Sequence, residues 1–319
     1  MSEASADVVL RPPRPADAAA VAEVLNACSL DDIGIPDTDE AKVERWWREP
    51  GFDPGVDAWV AQTPDGRIVG YVHVESDGAG GDLQLDGYTH PSFMGLGIGS
   101  RLLDTAERHA VEVAAQHGVA PPVVVRHGAW AGTVPSRFLQ ARGYTFIRCF
   151  LRMRIDLDGP PPVPTWPEGI QVVGLVPGRD ERVFYDATEE AFADHWNWTQ
   201  RSFEDWVAHK VTDEPDFDGS LWFRAVDGDQ VAGAVIARPR AVEEQDAAWV
   251  SDLTVRRPWR GRGIGTALLL HEFGVLYERG ARAIMLAVDA DSPTGATRLY
   301  ERVGMRVVRR IDVFEKTLG

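Results

Sequence analysis

One local design occurs twice in this chain. After Val255 come Arg256, Arg257, Pro258, Trp259, Arg260, Gly261, Arg262, Gly263, Ile264, Gly265 and Thr266, and a helical pattern opens at Ala267-Leu268-Leu269-Leu270. After Thr89 come His90, Pro91, Ser92, Phe93, Met94, Gly95, Leu96, Gly97, Ile98, Gly99 and Ser100, and a helical pattern opens at Arg101-Leu102-Leu103. Each turn follows an apolar, strand-like run. Glycines in a strand–turn–helix setting let consecutive N–H groups converge, and the helix N-terminus adds about half a positive charge, so each turn is an anion cradle. The copies differ at their basic positions, where Arg260 and Arg262 face Met94 and Leu96.

The repetition extends well beyond the glycines. At the offset that carries Gly97 onto Gly263, Asp86 falls on Asp252 and Thr89 on Val255. At a slightly shorter offset, the hairpin-like Ala58–Gln62 and Ile68–Val72 match Trp222–Val226 and Val231–Val235. Downstream, Ser136-Arg137-Phe138-Leu139 through Gly143 matches Thr297-Arg298-Leu299-Tyr300 through Gly304. A self-similar period this long means tandem domains rather than a solenoid. Between the copies, residues 156–169 hold Pro160, Pro161, Pro162, Pro164 and Pro167, which forbid helix and central strand and favour a stiff extended linker. The spacing predicts one domain over 1–155 and another over 170–319. Each reads as strand, helix, hairpin strands, glycine turn, long helix, strand, short helix and last strand. That is an α/β class with a mixed sheet.

Composition narrows the ligand. A formal charge of −16 argues against nucleic acid, which is bound through clustered Lys and Arg, and is compatible with a cationic small molecule. The two cysteines, Cys28 and Cys149, imply no disulfide framework. The segment Met1–Val8 lacks a basic and apolar leader pattern, and no apolar run reaches the roughly 18 residues of a membrane span. A cytoplasmic protein with no membrane partner is expected. No metal-ligand spacing is present.

The loop Arg260-Gly261-Arg262-Gly263-Ile264-Gly265, with Leu299-Tyr300-Glu301-Arg302-Val303-Gly304 downstream, resembles the GNAT superfamily of acyl-CoA-dependent N-acyltransferases. The resemblance covers nearly the whole chain as two copies. In layout it is similar to the mycothiol synthases of that superfamily, a likeness of architecture and not of substrate. It implies acetyl-CoA as cofactor, a small-molecule amine as partner and an active site in the second copy.

The resemblance also implies roles for residues. Arg260 to Thr266 would hold the pyrophosphate, Leu253, Thr254 and Val255 would pair with the cofactor's arm like an added strand, and the Val255 N–H would reach the thioester carbonyl. Tyr300 would protonate the leaving thiolate, since a phenol is a neutral donor at pH 7. Asp252 is a candidate base and equally a structural carboxylate. Ser292 stands where many members carry Asn to contact the arm. Asp289 and Asp291 either support it or cap the next helix, with Pro293 in its first turn. His195, Trp196 and Trp198 are candidates for an amine pocket, although a lone His among aromatics more often packs. Glu243, Glu244 and Asp246 read as a solvated loop. Thr89, Gly95, Gly97, Ile98, Gly99 and Ser100 form a possible second CoA site whose copy has lost its phenol to Leu139. Other readings stay open: a different acyl donor, a non-catalytic CoA-binding module, and acetylation of protein amines.

Overall fold

The computed structural model describes residues 7–49, 51–76, 82–241, 244, 246–292 and 294–319. Most of Met1–Val8, Glu243 and Pro293 therefore lie outside the described residues.

The elements, in chain order, begin with β1 (Val9–Arg11), α1 (Ala18–Ile33), α2 (Glu40–Trp46), α3 (Pro54–Asp57), β2 (Ala58–Gln62) and β3 (Ile68–Ser76). Then come β4 (Leu83–Thr89), α4 (Ile98–Gln116), β5 (Val123–Trp130), α5 (Val134–Ala141) and β6 (Thr145–Asp156). The second series is β7 (Ile170–Gly174), α6 (Glu181–Phe192), α7 (Phe203–Val207), β8 (Trp222–Asp227), β9 (Gln230–Arg238) and β10 (Ala248–Val255). It closes with α8 (Ile264–Glu278), β11 (Ala283–Asp289), α9 (Ala296–Arg302) and β12 (Arg306–Leu318). The two series are alike, as the repeat predicts.

The compact units do not follow the chain in series. Unit 1 comprises residues 1–149 together with Ile311–Gly319, and unit 2 comprises Phe150–Arg310. In unit 1 the sheet runs β1-β2-β3-β4-β5, and residues 311–318 of β12 pair antiparallel with β5, from Ile311↔Trp130 to Leu318↔Val123. In unit 2 the order is β7-β8-β9-β10-β11, and residues 150–156 of β6 pair antiparallel with β11, from Asp289↔Phe150 to Ala283↔Asp156. Each unit thus takes its closing strand from the other stretch of chain. This departs from the serial boundaries at 155 and 170. The period of a sequence fixes which residues form a strand, but not which open edge the strand covers.

The Pro-rich stretch also differs from a free spacer. It has no helix or strand between Asp156 and Ile170, but Leu157 is buried and donates its N–H to the Arg282 carbonyl (2.8 Å). Trp166 packs on His271 of α8 (6.1 Å between ring centroids). These contacts make it part of unit 2.

In unit 1, α4 covers one sheet face through Leu102, Leu103, Ala106 and Ala110, and α1 covers the other through Val21, Val24 and Leu25. In unit 2 the corresponding helices are α8, with Leu268, Leu269 and Phe273, and α6, with Phe184.

Candidate active site

The site of unit 2 is built where two strands part. β10 and β11 run parallel only over Ala248↔Ile284, Trp249↔Met285 and Val250↔Leu286. β10 then continues to Val255 and β11 to Asp289, which leaves an open edge on β10. Backbone groups alternate between the two edges of a strand. The Arg256 N–H reaches the Ala232 carbonyl (3.0 Å), so Arg256 points toward β9. Val255, and likewise Leu253, point the other way, along the open edge. Consistent with this, the Val255 carbonyl accepts from Arg260 Nε at 3.1 Å rather than from β9.

A bulge sharpens the geometry. The β9–β10 register shifts between Val250 and Asp252, which makes Ser251 the extra residue. Before it Trp249 pairs with Arg238, and after it Asp252 pairs with Ile236. Residues opposed across a ladder share a face. The bulge therefore turns Asp252 onto the face that already carries Trp249, the α6 side, where it would otherwise point to α8. Close strand approach at the tip requires glycine: a Cβ on Gly233 would lie 2.4 Å from the Thr254 carbonyl oxygen.

The turn after β10 has the form expected. Gly261 and Gly263 have φ of 76° and 86°, left-handed values that favour glycine, and α8 begins directly at Ile264. The first N–H groups of a helix have no intrahelical acceptor, so they face the turn's concavity. Gly265 packs against Val255 and Leu299 of α9, with a Cβ there meeting Leu299 at 3.1 Å.

The arginines of the turn are paired with neighbouring groups. Arg260 reaches the Ala191 carbonyl and Asp194 at the end of α6 (3.4 and 3.5 Å), and Arg257 also pairs with Asp194. Arg262 pairs with Asp227 (3.2 Å), which also accepts from the Trp259 indole (2.9 Å). Their side chains pin the loop to α6 and β8. Thr266 follows in the first turn of α8.

Tyr300, on α9, is 7 % exposed, and its phenol is pushed well above the ordinary tyrosine range by burial and then by the Asp252 carboxylate. It stays protonated at any physiological pH. Asp252 is 9 % exposed and holds Lys210 Nζ at 2.7 Å. Lys210 lies in the π-helical turn Ala208–Thr212 that continues α7. Sequence reading missed this partner, because nothing in the local pattern around Lys210 marks a site.

Beside this pair lies a cavity of about 150 Å³. Phe217, Trp222 and Trp249 wall it, and Ile236, Arg238 and Ser251 form its sheet side. His209, Lys210 and Glu214 close it from the α7 segment. None of the three aromatic candidates lines it. His195 lies tilted against Phe192 (4.6 Å), Trp196 lies by Phe150 (6.4 Å), and Trp198 donates to Glu189 (3.3 Å). Burial lowers the His195 pKa, with Asp289 and Arg260 close enough to act on it, so this segment sits near the loop and the end of β11. Ser292 bonds Thr294 Oγ1 (3.0 Å). Asp289 accepts from the Asp291 N–H in the same turn (3.0 Å), while Gly295, not an aspartate, precedes α9. Glu244 is no free loop carboxylate: it pairs with Arg154 and with Arg309 (2.9 Å).

Unit 1 keeps the frame of this site with different side chains. β4 and β5 pair only at Leu83↔Val125 and Gln84↔Arg126, and Gly95 and Gly97 have φ of 75° and 76°. Ile98, Gly99 and Ser100 open α4, and Gly99 packs on Thr89. The β3–β4 ladder, however, runs from Gly70↔Thr89 to Ser76↔Leu83 without a bulge. Leu139 is buried where unit 2 has Tyr300. Asp86 faces His73 (3.8 Å) and His127 (3.9 Å), and Trp46 stacks edge-on over His73 at 4.0 Å. Among the described residues, no helix is long and apolar enough to cross a membrane, and no group of His, Cys, Asp or Glu is placed to hold a metal.

Comparison with known proteins agrees with this frame. The acetyltransferase (GNAT) family model matches residues 182–305, and an acetyltransferase (GNAT) domain model matches residues 54–145. The mycothiol acetyltransferase of Geodermatophilus obscurus is 30 % identical over 295 residues, 91 % of each chain. That of Thermobispora bispora is 33 % identical over 245 residues, 75 % of this chain and 76 % of its own. The crystal structure of a GCN5-related N-acetyltransferase from Sphaerobacter thermophilus is 38 % identical, with a TM-score of 0.79 over 98 % of this chain and 96 % of that one. A tandem GNAT protein from the clavulanic acid biosynthesis pathway shares the fold (TM-score 0.72, 20 % identity, 98 % and 99 % covered). The chain belongs to the GNAT family of N-acetyltransferases and carries two of its domains in tandem.

Proposed function

We propose that unit 2 transfers an acetyl group from acetyl-CoA to the primary amine of a small molecule by direct attack. The observation that carries this reading is the parting of β10 from β11 after Val250, with the glycine turn at its end and the protonated Tyr300 beside it. An acyl-CoA fits the residues present. The left-handed Gly261 and Gly263 turn the loop's N–H groups toward a pyrophosphate, and the open edge of Leu253–Val255 offers main-chain groups to an amide-bearing arm. When bound, the cofactor supplies an activated thioester. The chain's own residues supply the rest. The Val255 N–H, directed along the open edge, is a donor for developing negative charge on a carbonyl oxygen. Tyr300 keeps a proton at Oη for a departing thiolate. Asp252, steadied by Lys210, is the carboxylate toward which an incoming ammonium can release its proton, directly or through water. Ser292 and the His195–Trp198 segment do not line the cavity.

Unit 1, with Leu139 in place of the phenol and no bulge at β4, is read as non-catalytic. Its turn at Thr89–Ser100 retains only the backbone of a second CoA site. The test is free-thiol release from acetyl-CoA across a panel of small amines, with calorimetry of acetyl-CoA binding alongside. Thiol release with at least one amine is expected, with Gly263→Asp weakening acetyl-CoA binding far more than Gly97→Asp. No release with any amine favours a binding module, and the reverse order of the two variants overturns the assignment to unit 2.

A further inference from the structure

The cavity beside Asp252 has a chemical bias of its own. Its charges are already closed: Lys210 Nζ lies 2.7 Å from Asp252, and Arg238 Nη1 lies 2.6 Å from Glu214. A carboxylate brought in beside Arg238 would meet Glu214, and a second cationic group there, besides the reacting amine, would meet Arg238 and Lys210. A net-neutral group avoids both penalties. Two buried donors in the lining have no hydrogen-bond partner, namely Trp222 Nε1, on a side chain only 1 % exposed, and Arg238 Nε. Buried N–H groups in proteins are almost always paired, so two in one small cavity call for an acceptor atom. The rings of Phe217, Trp222 and Trp249 provide apolar walls for the carbon skeleton between that atom and the amine.

We infer that Trp222 and Arg238 select the acceptor: they receive a neutral oxygen, a hydroxyl or carbonyl, carried on the same small molecule as the reacting amine. The substrate class is therefore an amine whose remaining polar group is an uncharged oxygen, such as an amino alcohol, in preference to an alkylamine or an amino acid. This rests on the proposed acetyl transfer in unit 2 and adds the part of the acceptor that the reaction does not touch. A site built to hydrogen-bond an oxygen discriminates strongly against the analogue lacking it, because its own donors are then left unpaired.

The test uses the full-length protein and three matched series: linear amino alcohols of two to five carbons, alkylamines of the same lengths and the corresponding amino acids. Thiol release gives kcat and KM for each. The best amino alcohol is expected to exceed its alkylamine and amino-acid counterparts in kcat/KM by about 10- to 100-fold. Trp222→Phe keeps a smaller aromatic ring and removes the N–H; Arg238→Lys keeps a cation for Glu214 and removes Nε–H. Each is expected to bring that ratio down toward one, mainly through KM. Arg238→Lys provides the test if Trp222→Phe fails to fold. Variants that lower all three series in equal proportion, as when ordered water alone pairs these donors, overturn the inference. So does a wild-type preference for alkylamines or amino acids. If no amine releases thiol, the acetyl-transfer reading fails on its own. Calorimetry of the amino alcohols then decides: binding weakened by Arg238→Lys supports the oxygen site, and equal or undetectable binding in wild type and variant overturns it.

Discussion

One methyl group at Gly233 tests the geometry of the parted strands. An ideal Cβ there falls 2.4 Å from the Thr254 carbonyl oxygen and 3.3 Å from the Val255 Cα. Real Cβ contacts essentially never fall below 3.0 Å, so β9 and β10 must separate by about 0.6 Å. Both close atoms are backbone, and no side-chain rotation relieves them. The separation falls on the residues whose open edge is read as the cofactor-pairing strand and whose Val255 N–H is read as the carbonyl donor. Overpacking of this kind costs about 1–3 kcal/mol in stability. A shift approaching 1 Å at a reacting group costs on the order of 100-fold in rate. Gly233→Ala is therefore expected to melt at lower temperature and to lose at least about tenfold in kcat for thiol release while still folded. Gly70→Ala is the control in unit 1. There the Cβ meets the flexible Leu102 Cδ1 at 2.8 Å and the Tyr88 carbonyl only at 3.2 Å. It should cost some stability and leave turnover near the wild-type value. A folded Gly233→Ala protein with wild-type turnover, or a greater loss of turnover from Gly70→Ala, would refute the reasoning.

Two further perturbations separate chemistry from scaffold. Asp252→Asn leaves the partly buried Lys210 ammonium without its carboxylate, and breaking a fully buried pair costs about 3–5 kcal/mol, less here because Lys210 is 23 % exposed. Adding Lys210→Met should restore the melting temperature but not turnover, whereas recovery of turnover in the double variant would make Asp252 structural only. Glu272 in α8 is fully buried, its carboxylate oxygens have no partner, and burial raises its pKa well above the ordinary value. The unfolded chain ionises first as pH rises, so this residue costs stability progressively above the ordinary carboxylate range. Glu272→Met should then stabilise by about 1–3 kcal/mol at pH 7 and by less at pH 4, read from melting curves; an equal gain at both values would contradict a buried neutral acid.

What the sequence made legible follows from local physics. Left-handed glycines at Gly261 and Gly263, and again at Gly95 and Gly97, sit where a strand–turn–helix pattern needs them, and the alternating runs that became β10 and β4 were readable with them. Tyr300 and Leu139 could be aligned because both follow a packing residue, Leu299 or Phe138, set against the loop's last glycine. The exchange of closing strands was not legible, because 150–156 and 311–318 are equally good strands for either sheet. Nor was the bulge at Ser251, which exists only in the register between β9 and β10 and alone decides which face Asp252 takes. The cavity lay hidden for a related reason. Its Lys210 and Glu214 come from an irregular segment with no apolar period, and Arg238 lies at the end of a strand otherwise read as core. Nor were the ion pairs of the turn's arginines legible, because their partners, Asp194 and Asp227, belong to α6's end and β8.

The most direct measurement is turnover of Tyr300→Phe. The substitution removes one oxygen and keeps the buried ring, so folding and acetyl-CoA affinity by calorimetry should stay near wild type. Thiol release with a competent amine should fall by roughly 100- to 10,000-fold, the usual loss when a positioned proton donor is removed. Unchanged turnover in a folded, cofactor-binding Tyr300→Phe protein would contradict the placement of acetyl transfer beside Tyr300 in unit 2.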